Sequence, residues 1–380
     1  MKAKSIKGNS TEEIRLSMEQ SIGPDFKPTL ALIFCSIVHD HKAITNLFDQ
    51  QGIAVFGATS GGEIFDDIAT HQGISVLLMD IQPSNFQLFY GDYDELAPEN
   101  LAKELAAKAK SFFARPAFIV SNSTSNMARL DVGEKILRAI LEVVGEEAEV
   151  WGGSAGDDMA FRETFVFTNA RSGSKAILLL VLDGENVIVK GHAASGLKPA
   201  GIEKTITKAN GNWIIEIDHK PAAEFIPRFV GVTLNQHDYK DFNMQDIYMG
   251  LYRGNADPVI RSAAGFNWEN KAIAVSGTVQ EGDRVRMMLP PDFEIIDDLN
   301  SQAMVFRNTE MPDADGLIMF SCIGRLNVLG PLVDDELKGI RSVYNKPMTG
   351  FFSYGEFGRA SRGHNEFHNM TCCWVALKEK

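Results

Sequence analysis

The chain has 380 residues, is 44% hydrophobic and carries a formal net charge of −13, with a pI of about 5.1. That apolar content excludes a disordered chain, and the length favours two or three domains. The acidic balance, without Lys or Arg clustered among aromatics, excludes a basic face for nucleic-acid phosphates, and the longest apolar runs, about ten residues, are too short to span a bilayer.

Residues 1–27 are polar, with Gly23-Pro24 near their end, and read as a lead-in helix or loose arm. Their start lacks the apolar core of a signal peptide. Residues 29–35 are apolar throughout, the pattern of a strand covered on both faces. A helix is expected over 40–51, with Ala43, Ile44, Leu47 and Phe48 at helical spacing. His39 and His41 flank Asp40 and are expected to cap that helix in solvent. An apolar strand then enters the loop Gly57-Ala58-Thr59-Ser60-Gly61-Gly62-Glu63-Ile64, and strands are expected at 74–79 and 86–90. The spacing predicts a helix over 98–114, opened by Pro98 and striped by Leu101, Leu105, Ala109 and Phe112.

A strand at 117–120 precedes a helix over 132–144, introduced by the capping-box pattern Asp131-x-x-Glu134 and buried through Ile136, Leu137, Ile140 and Val144. Next comes the loop Val150-Trp151-Gly152-Gly153-Ser154-Ala155-Gly156-Asp157. Strands at 176–182 and 187–190 read as a hairpin through Asp183-Gly184-Glu185-Asn186. Residues 191–211, richer in Gly, Lys and Thr, suit a domain joint. Beyond lie a strand at 213–217, a helix at 221–229, a polar stretch at 235–245, a strand pair at 272–275 and 285–289, and a helix at 292–306. The last unit starts at Gly316. It has a strand at 318–322, a helical stretch, the loop Gly350-Phe351-Phe352-Ser353-Tyr354-Gly355-Glu356-Phe357, and a strand at 372–377.

Three Ser-x-Gly-acid loops after apolar strands make an internal repeat of strand, helix, strand, glycine loop and strand, with the middle copy the loosest. The fold class is therefore α/β, of the mixed α+β kind, with mixed sheets. Two lobes are expected, 28–205 and 206–380, after the lead-in segment 1–27. Three loops at three strand ends are expected to converge on one cleft between the lobes.

Gly152-Gly153-Ser154-Ala155-Gly156 has the form of a nucleophile elbow, which needs a helix directly after it. Here a turn and the strand Phe165-Val166-Phe167 follow, so a serine hydrolase using Ser154 is the weaker reading. A glycine turn that lets backbone approach closely is favoured. Neither a P-loop nor a helix-opening GxGxxG is present. No acid–base or nucleophile set has the context its chemistry needs, so the chain reads as a non-enzyme. Cys35, Cys322, Cys372 and Cys373 sit in apolar runs as small hydrophobes, without a disulfide framework. A reducing, cytoplasmic compartment follows. His364 and His368 stand at i, i+4, a spacing that suits a metal on a helix. Either His368 or His192 has the chemistry of an axial haem ligand, beside the ordinary reading of a hydrogen-bonded structural histidine. Arg325, expected on a loop after Cys322-Ile323-Gly324, can clamp a carboxylate in a fork that Lys cannot reproduce. Alternatively it pairs internally with Glu356 or Glu63.

The ordered set Phe56-Gly57-Ala58-Thr59-Ser60-Gly61-Gly62-Glu63-Ile64, Gly152-Gly153-Ser154-Ala155-Gly156-Asp157, and Lys198-Pro199-Ala200-Gly201 with Ile206-Thr207-Lys208-Ala209 resembles the N-terminal part of the FIST family of signal-transduction sensory modules. Phe320-Ser321-Cys322-Ile323-Gly324-Arg325, Ser353-Tyr354-Gly355-Glu356 and His368-Asn369-x-Thr371 resemble its C-terminal part. The resemblance spans residues 28–377. It implies a small-ligand sensor, with amino acids proposed as ligands. Some stand-alone members are haem proteins that sense nitric oxide and regulate a histidine kinase or cyclic-di-GMP enzyme in trans. This chain is similar to the stand-alone kind, which implies haem b held by His368 or His192. An amino-acid sensor without haem is the alternative. The expected ligand-binding set is Ser60, Gly61, Glu63, Gly153, Ser154, Asp157, Arg325, Tyr354, Glu356, His368, Asn369 and Thr371. Arg325 would take a carboxylate or propionate, and His39, His41 and His364 stand next in line for iron.

Overall fold

The computed structural model describes residues 1–93, 97–125, 131–225, 247–254, 256–289, 294–360 and 363–380. The first apolar run forms β2, and the polar residues before it are not a loose arm: they supply a strand and a helix of the same unit. That unit comprises β1 (Lys2–Gly8), α1 (Thr11–Ser21), β2 (Leu30–Cys35), α2 (His41–Asp49), β3 (Ala54–Thr59), the hairpin β4 (Glu63–Phe65) and β5 (Ile68–Thr70), and β6 (Ile74–Asp80). β2 runs parallel to β3 and antiparallel to β6, and β6 carries β1 on its other edge.

The second unit repeats every part. It has β7 (Phe86–Asp92), α3 (Pro98–Phe112), β8 (Pro116–Asn122), α4 (Val132–Val144), β9 (Val150–Ser154), the hairpin β10 (Val166–Phe167) and β11 (Ser172–Gly173), and β12 (Ala176–Asp183). β8 is parallel to β9 and antiparallel to β12, which carries β7. The third unit opens with β13 (Val187–Ala194). It is then interrupted by β14 (Pro199–Asn210), β15 (Trp213–Ile217), β16 (Lys220–Pro221), β17 (Tyr248–Tyr252), β18 (Val259–Asn267), β19 (Ala272–Val275) and β20 (Arg284–Met288). It resumes with α5 (Glu294–Thr309), β21 (Gly316–Cys322), α6 (Ile323–Leu329), α7 (Val333–Tyr344), β22 (Met348–Ser353), the hairpin β23 (Glu356–Gly358) and β24 (Glu366–His368), and β25 (Cys372–Glu379). β21 is parallel to β22 and antiparallel to β25, which carries β13.

The hairpins are exchanged around this threefold arrangement. β4 and β5 extend the third unit's sheet through β22, β23 and β24 extend the second through β9, and β10 and β11 extend the first through β3. Every six-stranded sheet thus has the same strand order and draws on two units. The inner faces meet in one core, to which the sheets bring Phe34 and Phe56, Ile119 and Trp151, and Phe320 and Phe351 respectively. Phe34, Phe320 and Phe351 pack ring against ring, with centroids 4.7, 5.6 and 6.2 Å apart. Helix pairs cover the outer faces: α1 and α2 with Ile14 and Phe48, α3 and α4 with Leu105 and Leu137, α5 and α7 with Leu299 and Leu337. Cover on both faces is why the central strands are apolar at every position.

The interruption is a separate body. β14 pairs with both β20 and β15, so β14, β20, β17, β18, β19 and β15 close on themselves around Ile214, Met249, Ile273 and Val285. The fold as a whole is mixed α/β.

Several local expectations change in this context. β12 and β13 are not a hairpin, because β13 is the outer strand of the next unit's sheet. β19 and β20 both lie in the barrel but each pairs with other strands. Asp131 makes no capping bond, and Glu134 turns away from the helix start to meet the barrel. The buried stripe of α3 is Ala102, Leu105, Ala106 and Ala109, leaving Phe112 56% exposed. The expected joint at 191–211 holds the end of β13 and all of β14, and the 205/206 boundary falls inside β14. Residues 222–224 form a single 3-10 turn. Positions 226–229, 235–245 and 292–293 lie outside the described residues. Among the described residues no helix is long and apolar enough to cross a membrane.

Candidate ligand cavity

Because the hairpins cross between units, the loops that launch them must meet. The Gly61 N–H donates to the Phe352 carbonyl at 2.9 Å, and Phe352 N–H to the Gly62 carbonyl at 2.8 Å. Ser154 N–H reaches the Gly355 carbonyl at 2.9 Å, Tyr354 N–H the Ser154 carbonyl at 3.0 Å, and Gly156 N–H the Thr59 carbonyl at 2.9 Å. A Cβ on Gly156 would stand 2.4 Å from the Gly61 nitrogen, so only glycine permits this approach.

The first and third loops are built alike. Ser60 Oγ donates to Glu63 Oε1 at 2.5 Å, and Ser353 Oγ to Glu356 Oε1 at 2.6 Å. The other carboxylate oxygen takes a donor from the start of the return strand: Gly73 N–H at 2.8 Å, or Thr371 Oγ1 at 2.7 Å. Gly62 and Gly355 share φ values of 148° and 149°, a region open to glycine. Burial pushes the Glu63 carboxyl up to about 7 and that of Glu356 up to about 8, against the lowering effect of these hydrogen bonds.

The second loop departs from this pattern. Ser154 Oγ donates to Asn122 Oδ1 at 2.8 Å. Asp157 accepts the N–H groups of Phe161, Arg162 and Glu163 at 2.9, 2.7 and 3.1 Å, and the hydroxyl of Tyr354 from the third loop. The turn so formed stacks Phe161 on Tyr354, with ring centroids 4.9 Å apart.

Beside that stack lies a cavity of about 500 Å³ between the three-unit body and the barrel. Ser154 and Tyr354 face it from the second and third loops, Asn122 from the end of β8, Phe161 from the turn after the second loop, and Trp213, Ser262 and Ser276 from the barrel. None of the described residues that line it is charged. β18 breaks register between Ala263 and Gly265 where it forms the wall, a local irregularity of the kind that re-aims side chains at sites. Ion pairs clamp the barrel onto the body next to this wall. Arg261, fully buried, donates to Glu134 Oε2 at 3.0 Å and to the Phe367 carbonyl at 2.6 Å. Thr278 N–H meets the same Glu134 oxygen at 2.6 Å, and Arg253 reaches Glu366 at 3.1 Å. Burial pushes the Glu134 carboxyl up, but Arg261 and Thr278 outweigh it and hold it below the usual carboxylate range. Gly133, Ser262 and Phe367 line the cavity, each at or one residue from a clamp.

Of the expected binding residues, Ser154, Tyr354 and Asn369 come together at this cavity. Ser60, Gly61, Glu63, Gly153, Asp157 and Glu356 are buried in the loop cluster and do not line it. The three loops do converge, but the first is not a wall of the cleft. Thr371, His368 and His192 line a second cavity of about 390 Å³. His192 Nε2 lies 3.0 Å from Gln302 Oε1. Both ring nitrogens of His368 are buried and neither makes a well-formed hydrogen bond among the described residues, though the Gly358 backbone lies near, and burial lowers its pKa to about 4, leaving the imidazole neutral.

Arg325 sits in α6, not on a loop, and its partner is neither Glu356 nor Glu63. Its buried guanidinium pairs with Glu336 of α7 and donates to the carbonyls of Ser195 at 2.6 Å and Met370 at 3.2 Å. Asp40, through its carboxylate, caps α2. His41 instead stacks on Phe167 at 5.1 Å, and His39 meets the Gln72 carbonyl at 2.9 Å. His364 is exposed. Among the described residues no group of three His, Cys, Asp or Glu is placed to hold a metal ion. Ser154 is followed by a turn and β10, not by the helix of a nucleophile elbow. Phe161, Trp213, Phe367 and the Glu134–Arg261 clamp carry no local signal in the sequence. Asn122 does, since it ends β8 as Cys35 and Cys322 end the equivalent strands β2 and β21.

Residues 29–220 match the family profile of the FIST N domain, and residues 222–359 that of the FIST C domain. No curated protein matches the chain in sequence.

Proposed function

The chain belongs to the FIST family, whose domains are sensory, ligand-binding units of signal transduction, and from that premise we propose that its ligand sits between the barrel and the three-unit body. The observation that carries this reading is the cavity of about 500 Å³, whose walls come from both bodies. Its size is that of a small-molecule site. A ligand touching both walls favours the state in which they are closed together, and its differential affinity for that state is the signal. The Glu134–Arg261 clamp, adjoining wall residues Gly133 and Ser262, transmits it. A histidine kinase or cyclic-di-GMP enzyme acting in trans reads the closed state. The small-molecule fraction of a cell extract should raise the melting temperature of the protein by several degrees, by mass action. Gly265→Trp, where a first side-chain carbon meets only the Ala274 Cβ at 3.5 Å, narrows the cavity and should abolish the rise. An equal rise in both proteins would remove the ligand from this site.

A second reading rests on His368: haem b at the cavity that His368 shares with His192. A neutral buried imidazole whose nitrogens make no well-formed hydrogen bond among the described residues suits an iron donor. The adjoining cavity, which also contains His192 and Gln302, holds Lys190 and Arg359, both paired with Glu149, and propionates would have to take Glu149's place on them. Bound haem would supply the nitric-oxide-binding centre. The reconstituted protein should then show a Soret band that nitric oxide shifts and that His368→Ala abolishes at unchanged melting temperature. A colourless protein ends this reading.

A further inference from the structure

We infer that the ligand of the cavity between barrel and body is an uncharged, flat molecule that hydrogen-bonds the carboxamide of Asn369. This rests on the sensory reading of that cavity and names the chemistry it selects.

The charge argument comes first. The described residues lining the cavity are apolar, hydroxyl or carboxamide groups. Of the described charged groups beside them in sequence, the buried ones are already engaged: Glu134 with Arg261, Arg325 with Glu336, and Asp157 with Tyr354 and three backbone N–H groups, while Arg162, next to Phe161, is exposed to water. A carboxylate or ammonium brought in here would lose its water and gain no buried counter-charge among the described residues, which is strongly unfavourable. A free amino acid would incur that penalty twice.

Asn369 supplies the specific contact. It is 4% exposed and lines the cavity, and its carboxamide makes no hydrogen bond among the described residues, at the buried oxygen or at the nitrogen, which is the atom left accessible. An enclosed carboxamide without partners is costly, and a ligand carbonyl that accepts from its N–H lowers that cost. The shape follows from the walls. Phe161 stacked on Tyr354, with Trp213 and Phe367 also lining the space, offers aromatic faces that a planar ring matches. Ser154 and Asn122, hydrogen-bonded to each other, add uncharged polar groups beside them.

The test uses sets of nearly isosteric probes that differ in charge: indole-3-acetamide, indole-3-acetate and tryptamine; benzamide, benzoate and benzylamine; nicotinamide and nicotinate. Binding to the full chain is measured by calorimetry and ligand-observed NMR. At least one amide should bind saturably, with its acid and amine at least tenfold weaker. Asn369→Leu should weaken the amide at least tenfold, and Gly265→Trp should do the same. Asn369→Asp should turn the preference towards the amine. The melting temperature of each variant confirms folding, and Asn369→Leu carries the result if Asn369→Asp does not fold. An acid or amine that binds as tightly as its amide, and is lost in Gly265→Trp, overturns this inference while the sensory site stands. So does an amide indifferent to Asn369→Leu. Binding of no probe, or binding that Gly265→Trp leaves untouched, overturns both.

Discussion

The loops at Ser60 and Ser353 and the loop at Ser154 start from one sequence pattern and reach different structures. In the first pair the acid is the first residue of the exchanged hairpin, so Glu63 and Glu356 stay under the loop and bind its serine. In the middle loop residues 158–165 intervene before β10. Asp157, one methylene shorter, gathers the backbone of that longer turn and the hydroxyl of Tyr354. Two copies thus fasten the hairpin exchange, while the third has been released to build a cavity wall. The difference lies in spacing after the motif, not in the motif.

The comparison breaks most visibly when the acids are removed. Glu356→Ala leaves the buried Ser353 and Thr371 hydroxyls without their acceptor and opens a void, and Glu63→Ala does the same to Ser60 and the Gly73 N–H. Each should cost about 3 kcal/mol or more in urea denaturation, since stranded buried donors cost roughly 1–3 kcal/mol apiece. Asp157→Ala should cost less, about 1–2 kcal/mol, because the N–H groups of Phe161, Arg162 and Glu163 belong to residues exposed to water. It should nevertheless abolish ligand binding, because the Phe161 turn loses its anchor. Greater destabilisation by Asp157→Ala than by Glu356→Ala would show that the middle loop is also a fastener.

The pH dependence comes next in size. Carboxyls raised to about 7 and about 8 in the folded protein, against roughly 4.3 in the unfolded chain, bind more protons when folded. Their contribution is fully present below about pH 4 and is lost as pH rises through 7 and 8. Stability should therefore fall between pH 5 and 8, by at most about 1.4 kcal/mol per pH unit for each group. The double variant Glu63→Gln, Glu356→Gln keeps a neutral acceptor and should flatten the slope. An unchanged slope would mean that neither carboxyl stays protonated.

What the sequence made legible follows from range. Apolar runs at 30–35, 117–120 and 318–322, each leading through a helix to Ser-x-Gly-acid, carry their own signal, and the strands, helices and meeting of loops follow from them. The hairpin exchange does not, because strands of two or three residues have no periodicity and pair at great separation, as Glu63 does with Phe351. β1 reads as a polar arm because, as an outer strand, it alternates exposed and partly buried residues until Ile6. The barrel is obscured by register shifts in β14 and β18. For Arg325 the acids of the loops look like natural partners, yet Glu336 lies on α7, against which α6 packs, and is equally buried. Of the cavity, Ser154, Tyr354 and Asn369 were within reach of motif reading. Trp213 and Phe161 come from segments whose approach only the tertiary fold decides.

The smallest expected effect separates the serines. Ser353→Ala strips the buried Glu356 of one of its hydroxyl donors, which should cost about 1.5 kcal/mol at a pH where the carboxylate is charged, since hydrogen bonds to charged groups are the stronger ones. Ser154→Ala removes a neutral bond to Asn122 at the wall of a cavity, where water or ligand substitutes, and should stay within about 1 kcal/mol of the parent. It should also leave hydrolysis of a nitrophenyl ester unchanged, because the Ser154 hydroxyl donates to an amide oxygen, which cannot act as a general base, and lacks the elbow's following helix. A fall in turnover with Ser154→Ala would mean that the released loop has become a nucleophile, and the comparison between fastener and wall would have to be redrawn around catalysis.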